Sequence, residues 1–209
     1  MPTVTSIKPQ RNQKRVNVYL DDKFGFGLDI ENFVKLGLKV EQELKEEEIE
    51  KIVKKAEFQK TLDKLLRFAT LRPRSEKEIK DWFKKRKVHE SLYKELLNRL
   101  SKLELIDDKK FAKWWVDQRN TFKPRGKRVL EMELRLKGIK KEIAQEILGD
   151  LKVNEEKVAK DLLQKKVYRW KSLPVLERKL KMSQFLARKG FGWDVIEKSV
   201  DKMLKLHLE

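Results

Sequence analysis

The feature that most constrains the fold of this chain is an apolar pattern that recurs every 51 or 52 residues. Four columns of apolar residues align at this spacing: Ile79, Leu130 and Met182; Phe83, Leu134 and Leu186; Leu92, Ile143 and Val195; Leu97, Leu148 and Val200. Such a period is typical of repeat proteins, whose units bury their apolar faces against each other. We therefore predict a mainly α fold in which tandem repeats stack into an extended, curved array.

Helix start and stop signals divide each repeat into three helices, A, B and C. In the first repeat, A is predicted near residues 58–70, B from Ser75 to about residue 86, and C over about 89–103. Ser75 and Glu78 have the spacing of a capping box at the start of helix B. The third repeat departs from the pattern, and its helix A is predicted to be longer than the others.

The B helices are predicted to end at equivalent positions. Gly138 and Gly190 suit a left-handed residue after the second and third B helices, because glycine adopts that conformation freely. Lys87 stands at the matching position of the first repeat. A lysine there indicates either a strained helix end or an end of another kind.

Residues 1–56 differ from the repeats and predict a small sheet. β-prone segments at 4–7, 16–20 and 24–28 predict a β-hairpin or three-stranded meander. A short helix is predicted from Asp29 to Gly37, and a further helix over about 45–56. The predicted division of the chain is therefore a strand-plus-helix region at 1–56 and three-helix repeats at 57–106, 107–152 and 153–209.

The positive charge of the chain is concentrated after residue 60. The sequence holds 52 lysines and arginines and 34 acidic residues; residues 1–60 hold 12 and 11 of them, which leaves 40 and 23, a net charge of +17, for residues 61–209. A field of this sign attracts phosphate backbones or acidic protein surfaces. The alternative is a dispersed charge that serves solubility, but the size of the excess favours an anionic partner.

Many basic residues stand at the links between helices A and B and at the junctions between helices B and C. The candidate DNA-binding or protein-binding residues are Arg72, Arg74, Lys84, Lys85, Arg86, Lys123, Arg125, Lys127, Arg128, Lys140, Lys141, Lys165, Lys166, Arg169, Arg188 and Lys189. Equivalent positions of a stacked array would line one side and form a basic strip. A scattered, solvated surface is the alternative.

Motifs that carry catalytic chemistry are missing from the sequence. The absence of cysteine excludes disulfides, thiolate metal sites and a cysteine nucleophile, and it fits a reducing cytosol. Neither histidine has a partner at metal-ligand spacing. We predict no enzyme activity, no metal and no cofactor, although a carboxylate-only magnesium nuclease stays open as an alternative. With no signal peptide and no membrane span in the sequence, a cytoplasmic protein is expected.

The tryptophans have two interpretations. Trp82 and Trp193 are predicted to lie in the core. Trp114 and Trp115 are adjacent, so one of them is expected to point away from the face that the other buries. An exposed tryptophan there could stack on a base or fill a pocket of a partner.

Several segments resemble the signature of the RecX regulatory proteins. These are LRPRSEKEI at 71–79, LIDDKKFA at 105–112 with the following Trp115, Val116 and Arg119, KPRG at 123–126, and ELRLKGI at 133–139. The likeness covers residues 57–200 firmly and 1–56 more loosely. Each motif alone is weak, but the combination is specific.

The resemblance implies a modulator of the RecA recombinase. Members of this family have tandem three-helix repeats and bind the RecA filament on single-stranded DNA, where they inhibit ATP hydrolysis and strand exchange. The expected partners are therefore the RecA filament and single-stranded DNA, with double-stranded DNA as a further candidate, and the chain is expected to act as a monomer. The rival interpretation is a helix-turn-helix transcriptional regulator that binds one duplex site.

Overall fold

The computed structural model describes residues 1–11, 13–150 and 154–205. The chain forms two compact units. The first consists of Met1–Arg72 with Phe83–Leu103, and the second of Pro73–Trp82 with Glu104–Glu209. Both units are discontinuous in sequence, because the chain crosses between them three times: after Arg72, within helix α3 (Glu76–Lys85), and after Leu103.

The first unit begins with a three-stranded antiparallel meander, as predicted. Its strands are β1 at Val4–Pro9, β2 at Arg15–Leu20 and β3 at Lys23–Asp29, in that order across the sheet. Asp21 and Asp22 have φ angles of 46° and 62°. Two positive φ angles are what a two-residue hairpin of the favoured twist requires. Asp21 and Asp22 therefore form the turn of the second hairpin, whose register shifts once between Val18 and Tyr19.

The helices of the first unit follow the sheet. Helix α1, Ile30–Leu36, begins where the Asp29 carboxylate accepts the backbone N–H of Asn32 at 2.9 Å, and it ends at Gly37 with φ 59°. Both ends match the prediction. Helix α4, Tyr93–Lys102, follows a short 3₁₀ turn and buries Leu96 and Leu100.

Helix α2, Glu46–Thr70, is one continuous helix of 25 residues. The sequence predicted two helices here, over 45–56 and 58–70, and that prediction is wrong. No glycine or proline interrupts the segment, so nothing stops the first helix from continuing. The predicted boundary between residues 56 and 57 falls inside α2, and the four-part division of the chain stays a prediction.

The second unit contains two complete three-helix sets. The second repeat is formed by α5 at Asp108–Phe122, α6 at Lys127–Leu136 and α7 at Lys141–Gly149. The third repeat is formed by α8 at Glu155–Gln164, α9 at Val175–Lys189 and α10 at Trp193–Lys205. Each set closes around its own apolar core.

The third repeat differs from the second in its B helix. Helix α8 has 10 residues and α9 has 15, whereas α5 has 15 and α6 has 10. The prediction that helix A is the longer one is therefore wrong. A 3₁₀ turn at Val167–Trp170 separates α8 from α9, and Pro174 stands at the N-cap of α9. Proline is well tolerated at a helix start, which explains why the extra residues belong to helix B.

The apolar columns of the B helices are fully buried. Their six members are at most 2% exposed: Ile79, Leu130, Met182, Phe83, Leu134 and Leu186. The columns of the C helices are less uniform, because Leu97 and Ile143 are half-buried. The repeat period therefore marks chiefly the faces that helix B buries.

All three B helices end in the same backbone conformation. Lys87, Gly138 and Gly190 have φ angles of 52°, 83° and 89°. In each case the next residue donates its backbone N–H to the carbonyl five residues before it, as Val88 does to Phe83 at 3.0 Å. Lys87 thus adopts the glycine-type ending at a steric cost of roughly 1 kcal/mol.

The predicted positions of the single tryptophans are corrected by the structure. Trp193 is 66% exposed, so its assignment to the core is wrong; it is the first residue of α10 and lies outside that helix's buried face. Trp82 is half-buried. Within the described residues, no helix has the length and apolar character that crossing a bilayer requires.

Candidate nucleic-acid interface

The candidate site is built where the link of one repeat packs on the junction of the next. In the second unit, the link before α3 packs on the junction after α6. The Ser75 hydroxyl donates to the Lys137 carbonyl at 2.8 Å, and Lys77 Nζ donates to the Leu136 carbonyl at 3.1 Å. A Cβ atom on Gly138 would lie 2.6 Å from Lys77 Cβ. We call this the first link–junction contact, residues 74–78 with 136–138.

The same arrangement occurs once more in this unit, between the second and third repeats. The backbone N–H of Gly126 donates to the Lys189 carbonyl at 2.9 Å, and that of Arg128 donates to the Gly190 carbonyl at 3.3 Å. A Cβ atom on Gly126 would overlap the Gly190 carbonyl group. We call this the second link–junction contact, residues 125–129 with 189–190.

The start of each B helix is tied to the next repeat in a parallel way. The N–H of Glu76 donates to the Asp108 carboxylate at 3.0 Å, and the N–H of Lys127 donates to the Glu155 carboxylate at 3.0 Å. Both acceptors belong to the first turn of an A helix. Burial raises the pKa of Asp108. The start of each B helix is therefore tied to the next A helix in the same way, and the two contacts hold equivalent segments of adjacent repeats together.

In the first link–junction contact, the basic side chains have an internal counterion. Glu78 Oε1 lies 2.8 Å from Lys137 Nζ, and Glu78 Oε2 lies 3.8 Å from Arg74 Nη1. The side chains of Arg74 and Glu78 are only 11% and 12% exposed. One carboxylate thus holds both cations in a largely buried group.

In the second link–junction contact, Val129 stands 51 residues after Glu78, at the equivalent position. Arg125 and Lys189, the equivalents of Arg74 and Lys137, have no carboxylate within ion-pair distance among the described residues, and neither does Lys166. Burial, and then the nearby charges of Arg125 and Lys166, lower the pKa of Lys189. The structure therefore brings three of the candidate cations together without neutralising them.

Buried polar atoms show the same lack of a partner. Arg125 Nε is buried and has no hydrogen-bond acceptor. The Lys189 ammonium lies 5.7 Å from the centre of the Phe185 ring, a cation–π distance. Such a contact compensates only part of the cost of removing a cation from water.

The remaining candidate residues are spread over both units. Those of the first unit are Arg72, which is half-buried, and the exposed Lys84, Lys85 and Arg86. Those of the second unit that are exposed are Lys123, Lys127, Arg128, Lys140, Lys141, Lys165, Arg169 and Arg188. A continuous basic strip stays a prediction, whereas the grouping of Arg125, Lys166 and Lys189 is a feature of the second unit.

The adjacent tryptophans are part of the packing of the second repeat. Trp114 and Trp115 both pack on Phe111, with ring centroids 5.9 Å and 5.8 Å away. Trp115 Nε1 donates to Glu133 at 2.9 Å, and the Arg119 guanidinium lies 4.6 Å from the Trp115 ring. The prediction that one of the pair points away from the core is wrong, because both tryptophan rings pack on the Phe111 ring.

Exposed aromatic side chains occur at positions that the sequence analysis did not single out. Phe122 is 73% exposed and Tyr168 is 62% exposed. Arg169 Nε donates to the Tyr168 hydroxyl at 3.3 Å, and this hydrogen bond, followed by the charges of Arg169 and Lys166, lowers the pKa of Tyr168. Tyr168 therefore lies beside the cation group of the second link–junction contact. Its place between basic residues in the sequence was the available signal.

The residues that the structure describes contain no candidate metal centre. In 1–11, 13–150 and 154–205, no three His, Cys, Asp or Glu side chains come together in an arrangement that could hold a metal ion. The group of Arg125, Lys166 and Lys189, with the exposed Tyr168 ring nearby, is instead suited to binding anions.

Comparison with known families gives three matches along the chain. Residues 2–45 match the regulatory protein RecX N-terminal domain. Residues 107–148 match the second three-helix domain of RecX, and residues 154–200 match its third three-helix domain. The last two ranges hold both sides of the second link–junction contact.

Individual relatives and structures are similar over most of the chain. Regulatory protein RecX of Bacillus licheniformis is 34% identical over 204 residues, which cover 97% of this chain and 78% of the relative. That of Bacillus subtilis is 33% identical, with the same coverage. A crystal structure of regulatory protein RecX matches at 26% identity with a TM-score of 0.73, covering 96% of this chain and 100% of the other. RecX from Lactobacillus salivarius matches with a TM-score of 0.63 over 72% of this chain and 97% of its own.

Proposed function

We propose that this chain, which belongs to the RecX family of regulatory proteins, is a negative regulator of homologous recombination and DNA repair. In this proposal it binds RecA filaments on single-stranded DNA and inhibits their ATP hydrolysis and strand exchange. The observation that carries the proposal is the similarity of 97% of the chain to RecX regulatory proteins at 34% identity.

The charge of the repeats supports a filament as the partner. Residues 61–209 carry nearly all of the chain's net charge of +18. A filament that wraps single-stranded DNA offers phosphates and acidic protein side chains along a groove, and such a surface attracts a basic partner over several ångströms. The protein would act as a monomer in the cytoplasm, without a cofactor.

The links and junctions are the proposed contact surface. Their exposed lysines are suited to phosphate as mobile point charges, and their arginines are suited to two-pronged contacts with phosphate or carboxylate. Helix packing within each repeat would keep these side chains at fixed positions. Inhibition would then follow from occupying the groove, with no chemical step performed by the chain.

The proposal is tested by adding the purified protein to preformed RecA filaments on single-stranded DNA and following ATP hydrolysis. We expect a drop in rate at less than one copy per RecA subunit, and a weaker drop at higher salt because bound counterions compete. An unchanged rate, together with tight binding to one site on bare duplex DNA, would overturn the proposal in favour of a helix-turn-helix transcriptional regulator.

Reversing the charges of Arg125 and Lys127 tests whether the second repeat's link takes part. The double variant Arg125→Glu, Lys127→Glu should lose most of the inhibition while keeping the helical circular dichroism of the wild type. If inhibition survives unchanged, the link is the wrong surface. Incubating labelled DNA with magnesium in the same experiment addresses the nuclease alternative, since cleavage would contradict a purely regulatory role.

A further inference from the structure

We propose that the second link–junction contact is an ion cluster without its own anion, which a phosphate group of a single-stranded nucleic acid completes. Arg125, Lys166 and Lys189 would hold the phosphate, and Tyr168 would stack on a neighbouring base. This inference deepens the proposed function and rests on it only for the identity of the strand, which would be the DNA of the filament.

The first link–junction contact shows how the basic side chains are neutralised when the chain itself supplies the anion. There, Glu78 lies within ion-pair distance of both Arg74 and Lys137. Each cation has an equivalent in the second contact, 51 or 52 residues later, but the carboxylate is replaced by the apolar Val129. The second contact therefore keeps both cations and lacks the group that balances them.

The position of Val129 confirms that the equivalence is spatial as well as sequential. A Cβ atom on Gly190 would lie 2.5 Å from Val129 Cγ2, so this side chain faces the junction. Glu78 faces the equivalent junction, because it contacts Lys137, the residue before Gly138. A carboxylate at position 129 would thus face the junction that carries Lys189, as Glu78 faces the junction that carries Lys137.

Nearby acidic side chains do not substitute for the missing carboxylate. Glu155 accepts the Lys127 backbone N–H at 3.0 Å. Glu156 lies 3.0 Å from Lys202 and 3.6 Å from Lys198. Neither of these carboxylates lies within ion-pair distance of Arg125, Lys166 or Lys189, which leaves the cation group to an external anion.

A nucleic-acid strand fits this group better than an acidic peptide does. Three cations exceed the charge of one carboxylate, whereas a strand supplies a phosphate at every nucleotide. The exposed Tyr168 ring lies within range of the Lys166 charge and is 62% exposed. Aromatic rings beside a basic groove bind single-stranded bases by stacking. The Arg169 guanidinium lies 5.9 Å from the centre of the same ring. The combination of phosphate-binding cations and an exposed ring favours a single strand.

The test compares two variants that add one negative charge to the same helix. Val129→Glu supplies the missing carboxylate, while Met132→Glu adds the same charge one turn later at a position that is 54% exposed. Binding of a fluorescent oligothymidylate is followed by anisotropy at several salt concentrations. We expect Val129→Glu to weaken binding about tenfold and to reduce the slope of log K against log salt by about 0.7, the value for one phosphate on a single strand.

Removing the cations provides a second route to the same result. Arg125→Ala combined with Lys189→Ala should weaken binding and reduce the salt slope as Val129→Glu does. Lys113→Ala combined with Lys181→Ala removes two exposed charges elsewhere in the second unit and serves as the control. Tyr168→Ala should weaken binding about fivefold without changing the salt slope, because stacking releases no counterions.

Three outcomes would overturn the inference. The first is equal affinity and salt slope for Val129→Glu and Met132→Glu. The second is unchanged binding in the Arg125→Ala, Lys189→Ala variant. The third is displacement of the oligonucleotide by an equal concentration of inorganic phosphate at constant ionic strength, which would indicate a small-anion site. RecA ATP hydrolysis measured with the wild type judges the proposed function separately, since it can fail while the oligonucleotide results still hold.

Discussion

The first and second link–junction contacts share a backbone frame and differ in their charge. In both, the start of one B helix packs on the glycine-containing junction of the next repeat and donates an N–H to an acidic side chain of the following A helix. In the first, Glu78 neutralises the basic side chains. In the second, Val129 leaves them without an anion. In our proposal, the duplicated contacts specialise through this single position, the first for stability and the second for binding.

The two contacts also differ in how closely the backbones of the adjacent repeats approach each other. Ser75 bridges the first contact through its hydroxyl, which accepts the Glu78 N–H at 3.2 Å and donates to the Lys137 carbonyl. Gly126, at the equivalent position, bonds directly through its backbone. The second contact thus has no room for a side chain at this point. This difference predicts unequal sensitivity to alanine.

The largest expected effect is that of Gly126→Ala. The added Cβ atom would overlap the Gly190 carbonyl, a backbone group that cannot rotate away. We expect a loss of about 3 kcal/mol in the free energy of unfolding, against about 1 kcal/mol for Ser75→Ala, which removes a cap. Urea denaturation followed by circular dichroism measures both. Equal small losses would show that the two contacts do not differ in backbone approach.

Exchanging the charge pattern of the two contacts should change stability in opposite directions. Glu78→Val removes the carboxylate that Arg74 and Lys137 share in a largely buried place, so we expect a loss of about 2–3 kcal/mol. Val129→Glu should be neutral or stabilising by up to about 1 kcal/mol, because it gives Arg125 and Lys189 a partner. The same denaturation experiment applies. A destabilised Val129→Glu protein would contradict the equivalence of the contacts.

The pKa of Lys189 reports whether an anion is present at the second link–junction contact. Burial and the neighbouring cations lower this pKa below its usual 10.5. The charged lysine therefore opposes folding, and stability should rise with pH from the folded pKa up to 10.5. Val129→Glu should raise the pKa of Lys189, as should bound oligonucleotide. Titration of the lysine ammonium signals by nuclear magnetic resonance checks both shifts, and an unmoved signal would exclude an anion at this place.

The smallest expected effect is that of Lys87→Gly, at the end of helix α3. Lys87 has a φ angle of 52°, which glycine adopts without strain. We expect Lys87→Gly to raise the free energy of unfolding by about 0.5–1 kcal/mol. Gly138→Ala should instead lower it by about 1–2 kcal/mol, because φ is 83° and Lys77 Cβ is close. Thermal denaturation of the two variants, compared with the wild type, decides whether the three junctions follow one rule.

The sequence predicted the elements whose signals are local. Asp29 and Gly37 mark both ends of α1, and the 51-residue spacing located the buried columns of the B helices, because each is set by residues close in the chain or by the repeat itself. The single helix α2 was missed because a helix that continues leaves no stop signal to read. Trp193 was misplaced because hydrophobicity alone does not fix which face of a helix is buried.

The site was less predictable than the fold. Arg125, Lys166 and Lys189 were all recognised as basic candidates, but their grouping depends on the packing of one repeat on the next. The exchange of Glu78 for Val129 is visible at a spacing of 51 residues. Its consequence for charge can be recognised only from the tertiary structure, in which Glu78 pairs with both Arg74 and Lys137.

The central claim is that this chain restrains RecA filaments through cations that the second link–junction contact leaves without an anion. The most direct measurement is the rate of ATP hydrolysis by preformed RecA filaments on single-stranded DNA with the wild type, Val129→Glu and Met132→Glu. We predict inhibition by the wild type and by Met132→Glu at less than one copy per RecA subunit, and inhibition by Val129→Glu only at about tenfold higher concentration. An unchanged rate with the wild type, or equal inhibition by all three proteins, would contradict the claim.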